Sequence, residues 1–445
     1  MDLSDILTFD SKKLLNSIPE LISGTFPIPG KFRGALPSDI AELSKLLTNS
    51  RGDRSLSYLS RPNYLSAYLY YFLPWNLYRL CILLPSLELK LSAGNIITDF
   101  GCGPLTFVSA LWIARPDLRV MPLEFNCADR AGPVLEAGKK FFTALCEFTG
   151  SGNSKESGSY NNASCAWKIN LIKKDININK NASLYGSGGH NKAALVCAVN
   201  MFNEQYDRIS HNNTAALRNL AKNAALFMHA EAEESASILT VEPGVPQSGK
   251  FISLLREAFI ELGRMPSAPC AHTADCPLLH AANFSAQGMN EQRQPRSARQ
   301  STRGEHGRSE SSGKKKDRWC HFAFETTDAP KKLMSLSAAA KLQKDRLVFS
   351  FLLAGEVKKA KAQSEKGVRV ISDAFALPGG RFGRYACSEQ GLALVTGGKN
   401  LIEKTGSLSL LSTGSLPEKG KFSSGNLTVT DQHDAKSGAV IMELK

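Results

Sequence analysis

A glycine turn between an apolar strand and an apolar helix is the clearest chemical signal in this sequence. Asp99 ends the predicted strand, and Gly101 and Gly103 precede a helix predicted to begin at Leu105. Glycine lets a backbone pass close beneath a ligand, and the next helix N-terminus offers unpaired N–H groups. This order predicts a nucleoside-binding turn. It lacks the third glycine of a dinucleotide fingerprint, because Thr106 and Phe107 stand where that glycine should be.

Two polar residues follow later strands of the same predicted sheet. Asp129 ends the second strand and is placed to accept hydrogen bonds from ribose hydroxyls, while Asn200 follows the next clear strand. The predicted cofactor-binding residues are therefore Asp99, Gly101, Gly103, Asp129 and Asn200. The alternative is that the two glycines only form a tight turn in an ordinary α/β domain. No catalytic residue is predicted, because a catalytic Asp/Asn-Pro-Pro-aromatic tetrapeptide is absent and Asn200-Met201-Phe202-Asn203 only loosely occupies its place.

A second set of reactive side chains is cysteine-rich. Cys270 and Cys276 stand six residues apart beside prolines, Cys320 follows a basic insertion, and Cys387 lies further along. On chemistry alone, zinc held by three cysteines and one histidine is the leading interpretation. An iron–sulfur cluster held by four cysteines is second. The remaining cysteines, such as Cys81, are interpreted as small buried hydrophobes.

The elements that position these residues alternate between strand and helix over residues 91–265. The predicted strands are Asn95–Asp99, Val120–Ala128, Ala193–Val199 and Ser237–Glu242. The helices between and after them are Leu105–Ala114, Pro133–Phe148, Thr214–Met228 and Gly249–Leu262. This alternation predicts an α/β fold with a doubly wound, Rossmann-type parallel sheet.

The regions on either side of that domain differ in composition. Residues 1–90 are predicted to be helical, and residues 149–163 to form a flexible loop. A cysteine-cluster segment, 266–330, contains a polar insertion at 285–318 with nine basic and four acidic residues, interpreted as disordered. The strands Arg346–Ala354, Val368–Ala374 and Gly391–Thr396 predict a small β-rich unit over 331–402, and residues 403–445 are predicted to be poorly ordered.

The composition restricts the possible partners of the protein and its cellular compartment. Lysine and arginine number 54 against 41 acidic residues, a formal charge of +13, which favours an acidic partner such as nucleic acid. The most apolar stretch, Tyr64–Leu84, contains Pro74 and Arg79 and is interpreted as buried helix, so no membrane partner is expected. The sparse cysteines and the acidic start Met1–Asp5 predict a reducing cytoplasm.

Several segments together resemble a known family, the methyltransferase-like assembly factors of the small ribosomal subunit, which has mitochondrial members and bacterial relatives. The Asp-x-Gly-x-Gly turn itself resembles the first motif of S-adenosylmethionine-dependent methyltransferases. The resemblance covers roughly residues 27–400. The matching segments are Leu36-Pro37, Leu56–Pro62, Tyr71–Asn76, Asp99–Pro104, Ala114–Leu118 and the set Cys270, Cys276 and Trp319–Phe322.

The resemblance implies more than the residues alone. It implies an S-adenosylmethionine-type ligand in the α/β domain and a [4Fe–4S] cluster held by Cys270, Cys276, Cys320 and Cys387, which shifts the metal prediction from zinc to iron–sulfur. It also implies methyl transfer to small-subunit ribosomal RNA. The alternatives are a non-catalytic assembly factor that binds this RNA and a zinc-containing RNA-binding protein. The mitochondrial matrix becomes the alternative to the cytoplasm.

Overall fold

The computed structural model describes most of the chain. The described residues are 6–48, 58–153, 165–178, 184, 191–206, 209–270, 272–279, 319–357, 367–406, 408–412, 427–435 and 437–445. The insertion predicted at 285–318 lies outside them, as does most of the loop predicted at 149–163.

Helices dominate the N-terminal region, as the sequence predicted. They are α1 (Phe9–Asn16), α2 (Ile18–Thr25), α3 (Gly30–Arg33), α4 (Leu36–Thr48), α5 (Pro62–Ala67) and α6 (Leu73–Leu83). A π-helical turn, Tyr68–Phe72, joins α5 to α6. Every residue of α6 except Asn76 and Arg79 is buried, which explains why the rest of its sequence is mainly apolar. No helix among the described residues has both the length and the apolar character needed to cross a membrane.

The first sheet has eight strands in the described chain. They are β1 (Ile96–Phe100), β2 (Leu123–Asp129), β3 (Trp167–Lys173), β4 (Ala193–Val199), β5 (Ala232–Pro243), β6 (Arg264–Ala268), β7 (Phe322–Glu325) and β8 (Arg346–Val357). Their order is β3-β2-β1-β4-β5-β8-β6, with β7 paired to β8. Strands β1 to β5 pair in parallel. The predicted doubly wound α/β fold is therefore confirmed.

Helices cover both faces of this sheet. They are α7 (Thr106–Ala114), α8 (Gly132–Asn153), α9 (Asn203–Tyr206), α10 (Thr214–Glu231) and α11 (Pro246–Glu261). One apolar core joins the N-terminal helices, α7 and α8 to one face, and a second joins α10 and α11 to the other. The strand order reverses between β1 and β4, which places the usual ligand crevice of such sheets at the carboxyl end of β1.

Strand β8 corrects one prediction. Arg346–Ala354 was assigned to the small β-rich unit at 331–402, but it lies inside the first sheet and pairs antiparallel with both β5 and β6. Its central residues, Phe349–Ala354, are buried without alternation. A strand buried on both faces reads as a continuous apolar run, and such a run does not reveal which sheet it joins.

The second sheet corrects another prediction. It contains β9 (Gly367–Val370), β10 (Phe375–Ala376), β11 (Phe382–Ser388), β12 (Gly391–Gly397), β13 (Leu410–Ser412), β14 (Leu427–His433) and β15 (Val440–Leu444). Helix α12 (Lys331–Ala339) precedes it, and α13 (Lys399–Lys404) lies between β12 and β13. The tail 403–445, predicted to be poorly ordered, supplies three of these strands. Buried apolar residues such as Leu427, Met442 and Leu444 join them to the core of this sheet.

Close packing between α8 and the glycine turn requires a residue without a side chain. A Cβ added to Gly138 would lie 2.5 Å from the carbonyl carbon of Pro104 and 2.8 Å from the nitrogen of Leu105. Both neighbours are backbone atoms, so they cannot move away without displacing the turn. Gly138 therefore holds α8 directly against the predicted ligand site.

We expect Gly138→Ala to lower the free energy of unfolding by about 1–3 kcal/mol, because the added methyl group overpacks this contact. Gly150 provides the control on the same helix, since a Cβ there meets nothing within 4 Å. Gly150→Ala should raise stability by up to ~1 kcal/mol through helix propensity. Urea unfolding of both variants measures the difference, and equal shifts would contradict the packing argument.

Candidate functional site

The glycine turn lies at the carboxyl end of β1, between the ends of β2 and β4. Gly101 and Gly103 have φ angles of +62° and +53°, a region that side-chain-bearing residues rarely adopt. A Cβ on Gly101 would also lie 2.8 Å from the Cγ of Met201, which follows β4. Both glycines are therefore required by backbone geometry and, at Gly101, by a close neighbour.

Asp129 lies at the end of β2 and is bound to the glycine turn. Its Oδ2 accepts a hydrogen bond from the Gly103 N–H at 3.0 Å, and its Oδ1 accepts one from the Ala131 N–H at 2.9 Å. Burial raises the pKa of Asp129, and the two backbone N–H groups oppose that shift. Each carboxylate oxygen can accept a further hydrogen bond, so Asp129 can still receive a ligand hydroxyl.

Asp99 is almost completely buried beneath the same turn. Its Oδ1 accepts a hydrogen bond from the Cys197 thiol at 3.3 Å, while its Oδ2 has no partner. Burial raises the pKa of Asp99 to about 8. A buried polar atom without a partner is rare, and a ligand or ordered water commonly supplies the missing contact.

Asn200 closes the β4 side of the site. It adopts a left-handed conformation with a φ of +54°, and its backbone N–H donates to the Val241 carbonyl at 2.8 Å. Its Oδ1 accepts from Arg79 at 3.4 Å, and its Nδ2 donates to Oδ1 of Asn76 at 3.4 Å. The N-terminal helix α6 therefore forms one wall of the crevice. The structure brings all five predicted cofactor-binding residues to the ends of β1, β2 and β4.

The four predicted metal-binding cysteines also converge. Cys270 follows β6, Cys276 lies in the next loop, Cys320 precedes β7, and Cys387 lies in β11 of the second sheet. All four are buried and line one cavity where the two sheets meet. The ligand atoms of Cys270, His272 and Cys387 lie within 4.8 Å of one another, and Cys276 and Cys320 fall outside that group.

Two arginines that sequence reasoning missed lie beside the thiols. Arg256 of α11 donates to the carbonyl groups of His272 and Ala274 at 2.5 and 2.8 Å, and Arg369 of β9 donates to the Pro269 carbonyl at 2.7 Å. Both therefore hold the segment that carries Cys270. The available signal was the charge of Arg256 within the buried run from Phe251 to Phe259.

The charges and hydrogen bonds of the cavity separate the thiol pKa values. The hydrogen bond from Cys387, together with the Arg256 and Arg369 cations, lowers the pKa of Cys270 to about 6. Burial raises the pKa values of Cys276 and Cys320. Burial and the Arg256 cation lower the pKa of His272 to about 4. His272 is therefore neutral at neutral pH, and its Nε2 lies 3.3 Å from the Cys387 sulfur.

The strand order and the glycine turn define a methyltransferase-type α/β fold with an additional thiol-lined centre. A family model described as "Mitochondrial small ribosomal subunit Rsm22" matches residues 165–307, about a third of the chain. The chain is similar to this family over β3 to β6, Cys270 and Cys276. This match confirms the predicted resemblance to methyltransferase-like factors of the small ribosomal subunit. A search of curated proteins finds no match.

The chain is similar to several solved methyltransferases, with low sequence identities and low TM-scores. Geranyl diphosphate C-methyltransferase from Streptomyces coelicolor is 8% identical, with 63% of this chain and 79% of that chain covered and a TM-score of 0.27. Phosphoethanolamine N-methyltransferase 2 from Haemonchus contortus is 11% identical, with 69% and 61% covered and a TM-score of 0.29. The fold assignment rests on the strand order of this chain.

The raised pKa of Asp99 predicts a specific pH dependence of stability. The folded state retains the Asp99 proton up to a pH of about 8, whereas the unfolded carboxyl titrates near its ordinary value of 3.8. The wild type therefore loses stability as the pH rises between these values. Asp99→Asn cannot ionise, so its stability relative to wild type should rise between pH 5 and 8, by at most ~1.4 kcal/mol per pH unit.

Thermal and urea unfolding across this pH range test that expectation. Asp117→Asn is the control, because Asp117 is exposed and its hydrogen bond with Arg115 lowers its pKa. The stability difference between that control and wild type should stay constant from pH 5 to 8. Parallel stability curves for Asp99→Asn and wild type would refute the assignment of a retained proton to Asp99.

Proposed function

We propose that this protein binds S-adenosylmethionine through its α/β domain and acts on the small ribosomal subunit, as a methyltransferase of its RNA. One observation carries the proposal. The glycine turn lies at the point where the strand order reverses, with Asp129 hydrogen-bonded to Gly103 on the β2 side and Asn200 on the β4 side. A nucleoside ligand lying across this point meets backbone without side chains beneath it and a carboxylate at its ribose.

The residues present fit such a cofactor. Gly101 and Gly103 leave the turn without side chains, and Asp129 can accept hydrogen bonds from ribose hydroxyls. The unpartnered Oδ2 of Asp99 lies beneath the same turn. When bound, S-adenosylmethionine supplies an electrophilic methyl group. The chain's own contribution is to bind the nucleoside and to exclude water with α6.

The family match and the charge support a ribosomal partner. The matching family is described as belonging to the mitochondrial small ribosomal subunit, and the net charge of +13 suits an RNA surface. The same description favours the mitochondrial matrix, the alternative compartment, over the cytoplasm. RNA of the small subunit is therefore the proposed partner.

The cavity between the sheets supports a [4Fe–4S] cluster held by Cys270, Cys276, Cys320 and Cys387. A tetrahedral zinc ion at about 2.3 Å from each sulfur would place the sulfurs about 3.8 Å apart. The thiols of Cys276 and Cys320 are spread more widely, since they fall outside the 4.8 Å group. Arg256 and Arg369 offset the negative charge of four thiolates. The cluster's role would be structural, because Cys387 belongs to the second sheet.

Specific observations favour the alternative functions. The side chain of Asn200, in the place of the missing catalytic tetrapeptide, is hydrogen-bonded to Arg79 and Asn76. That arrangement favours a non-catalytic assembly factor that binds ribosomal RNA. The Nε2 of His272 within the group of Cys270 and Cys387 favours zinc instead of iron–sulfur.

Ligand binding provides the first test of the proposal. The wild-type holoprotein should bind S-adenosylhomocysteine in calorimetry, and Asp129→Ala should weaken binding by about 10- to 100-fold, because ribose hydrogen bonds to a charged acceptor are lost. Asp117→Ala is the control and should bind normally. Absence of binding to wild type would exclude the proposal.

Methyl transfer is decided separately by incubating the holoprotein with small-subunit RNA and labelled S-adenosylmethionine. Labelled RNA that disappears in Asp129→Ala supports the enzyme. Intact cofactor binding without labelled RNA would instead support the non-catalytic factor.

Metal analysis tests the centre. Anaerobically purified protein should contain about four iron and four sulfide per chain, and Cys276→Ala should lose most of both because one ligand is removed. Cys146→Ala is the control, since Cys146 lies on α8 and its thiol donates a hydrogen bond to the Cys165 sulfur. Zinc without sulfide would exclude the cluster, and full iron content in Cys276→Ala would contradict the ligand assignment.

A further inference from the structure

A cation lies in the wall of the crevice without a carboxylate partner. Arg79 of α6 donates from Nη1 to the Oδ1 atoms of Asn76 at 3.2 Å and Asn200 at 3.4 Å, and its Nε has no hydrogen-bond partner. Burial lowers the pKa of Arg79 to about 10, so the side chain stays charged at neutral pH. In the part of the chain that the structure describes, Arg79 forms no ion pair.

The acid that attracts Arg79 is already engaged elsewhere. Glu242 interacts electrostatically with Arg79. Its two oxygens, however, accept hydrogen bonds from the Phe202 and Asn203 N–H groups and from the Tyr206 hydroxyl. Glu242 therefore holds the loop after β4, and the Arg79 charge remains available to an external anion.

A second cation increases the positive potential at this wall. Lys344 precedes β8, and its Nζ lies 5.9 Å from the ring centroid of Tyr71. Burial, and then repulsion by Arg79, lowers the pKa of Lys344 to about 8. Two partly buried cations that repel each other are both stabilised when an anion binds near them.

Arg79 is linked to the glycine turn by a short series of side chains. The Tyr68 hydroxyl lies 3.9 Å from the position that a Cβ of Gly103 would take. The Asn76 side chain accepts a hydrogen bond from Arg79 and also interacts with the Tyr68 hydroxyl. These contacts run from the turn at β1 towards Asn200 at β4, on the side opposite Asp129 at β2.

That arrangement determines which end of the ligand meets Arg79. If Asp129 holds the ribose at β2, a ligand that crosses the turn at β1 extends its other end towards β4. In S-adenosylmethionine that end is an α-amino acid with a free carboxylate. The Nε edge of a guanidinium binds carboxylates through two parallel hydrogen bonds, and Nε is the atom of Arg79 that has no partner.

We propose that Arg79 binds the carboxylate at the amino-acid end of S-adenosylmethionine, and that Asn76 and Tyr68 hold the guanidinium in place. This subsite rests on the proposed function. The proposal also gives a function to the Tyr71–Asn76 segment and its neighbours. Neither the glycine turn nor the cysteine set accounts for that segment.

The test compares two ligands that share the nucleoside but differ at this end. S-adenosylhomocysteine carries the carboxylate, and 5′-methylthioadenosine lacks the whole amino-acid group. Calorimetry of the holoprotein should show that Arg79→Met weakens S-adenosylhomocysteine binding by about 10- to 100-fold and changes 5′-methylthioadenosine binding by less than about 3-fold. Arg33→Met, at an exposed arginine of α3, should change neither affinity.

The outcomes separate the subsite from the proposed function. Wild-type protein that binds neither ligand would overturn the proposed function and the subsite with it. If the wild type binds both ligands, the Arg79→Met result decides the subsite alone. An equal loss of affinity for both ligands, or no loss for either, would overturn the subsite. The wild type provides a second measurement that does not depend on how the variant folds. It should bind decarboxylated S-adenosylmethionine at least about 10-fold more weakly than S-adenosylmethionine, and equal affinities would refute the role of Arg79.

Discussion

Burial of four thiols beside the buried Arg256 and the half-buried Arg369, at the junction of the two sheets, is the interaction on which the C-terminal part of the molecule depends. The segment after β6 has no regular structure of its own in the described chain. Arg256 holds it from α11 and Arg369 holds it from β9, in each case through backbone carbonyl groups. A cation buried in this way is costly unless it is hydrogen-bonded and charge-compensated. The carbonyl groups supply the hydrogen bonds, and thiolates can supply the charge.

The crevice at the carboxyl end of β1 is built differently. Glycines keep side chains away from the turn after β1, and the Nε of Arg79 has no hydrogen-bond partner. Gly138 brings α8 against the turn, Met201 packs over Gly101, and α6 closes the β4 side with polar side chains facing inward. Helix α6 therefore belongs to the proposed ligand site, although its sequence is mainly that of apolar core. The same helix buries leucines against the sheet and presents Asn76 and Arg79 to the crevice.

Sequence reasoning succeeded where a local pattern determines a local structure. The strands β1 and β4, the glycine turn and Asp129 all follow from short apolar runs ended by characteristic residues. It failed for β8 because pairing partners are not encoded in an apolar run, and for β13 to β15 because short strands are hidden among Ser- and Gly-rich segments. The contacts of Arg256 and Arg79 were also missed. Such an arginine makes its contacts with residues distant in sequence, as Arg79 does with Asn200, so a local pattern does not reveal them.

The insertion of β8 between β5 and β6 has a consequence for synthesis of the chain. Strand β5 pairs with β4 on one edge, but its other edge and the whole of β6 stay unpaired until residues 346–357 have left the ribosomal exit tunnel. That interval is about 100 residues for β5 and about 80 residues for β6. Such edges pair readily with other chains. A ribosome that stalls in this interval exposes a nascent chain prone to aggregation, and the interval ends only when the last central strand arrives from the C-terminal side.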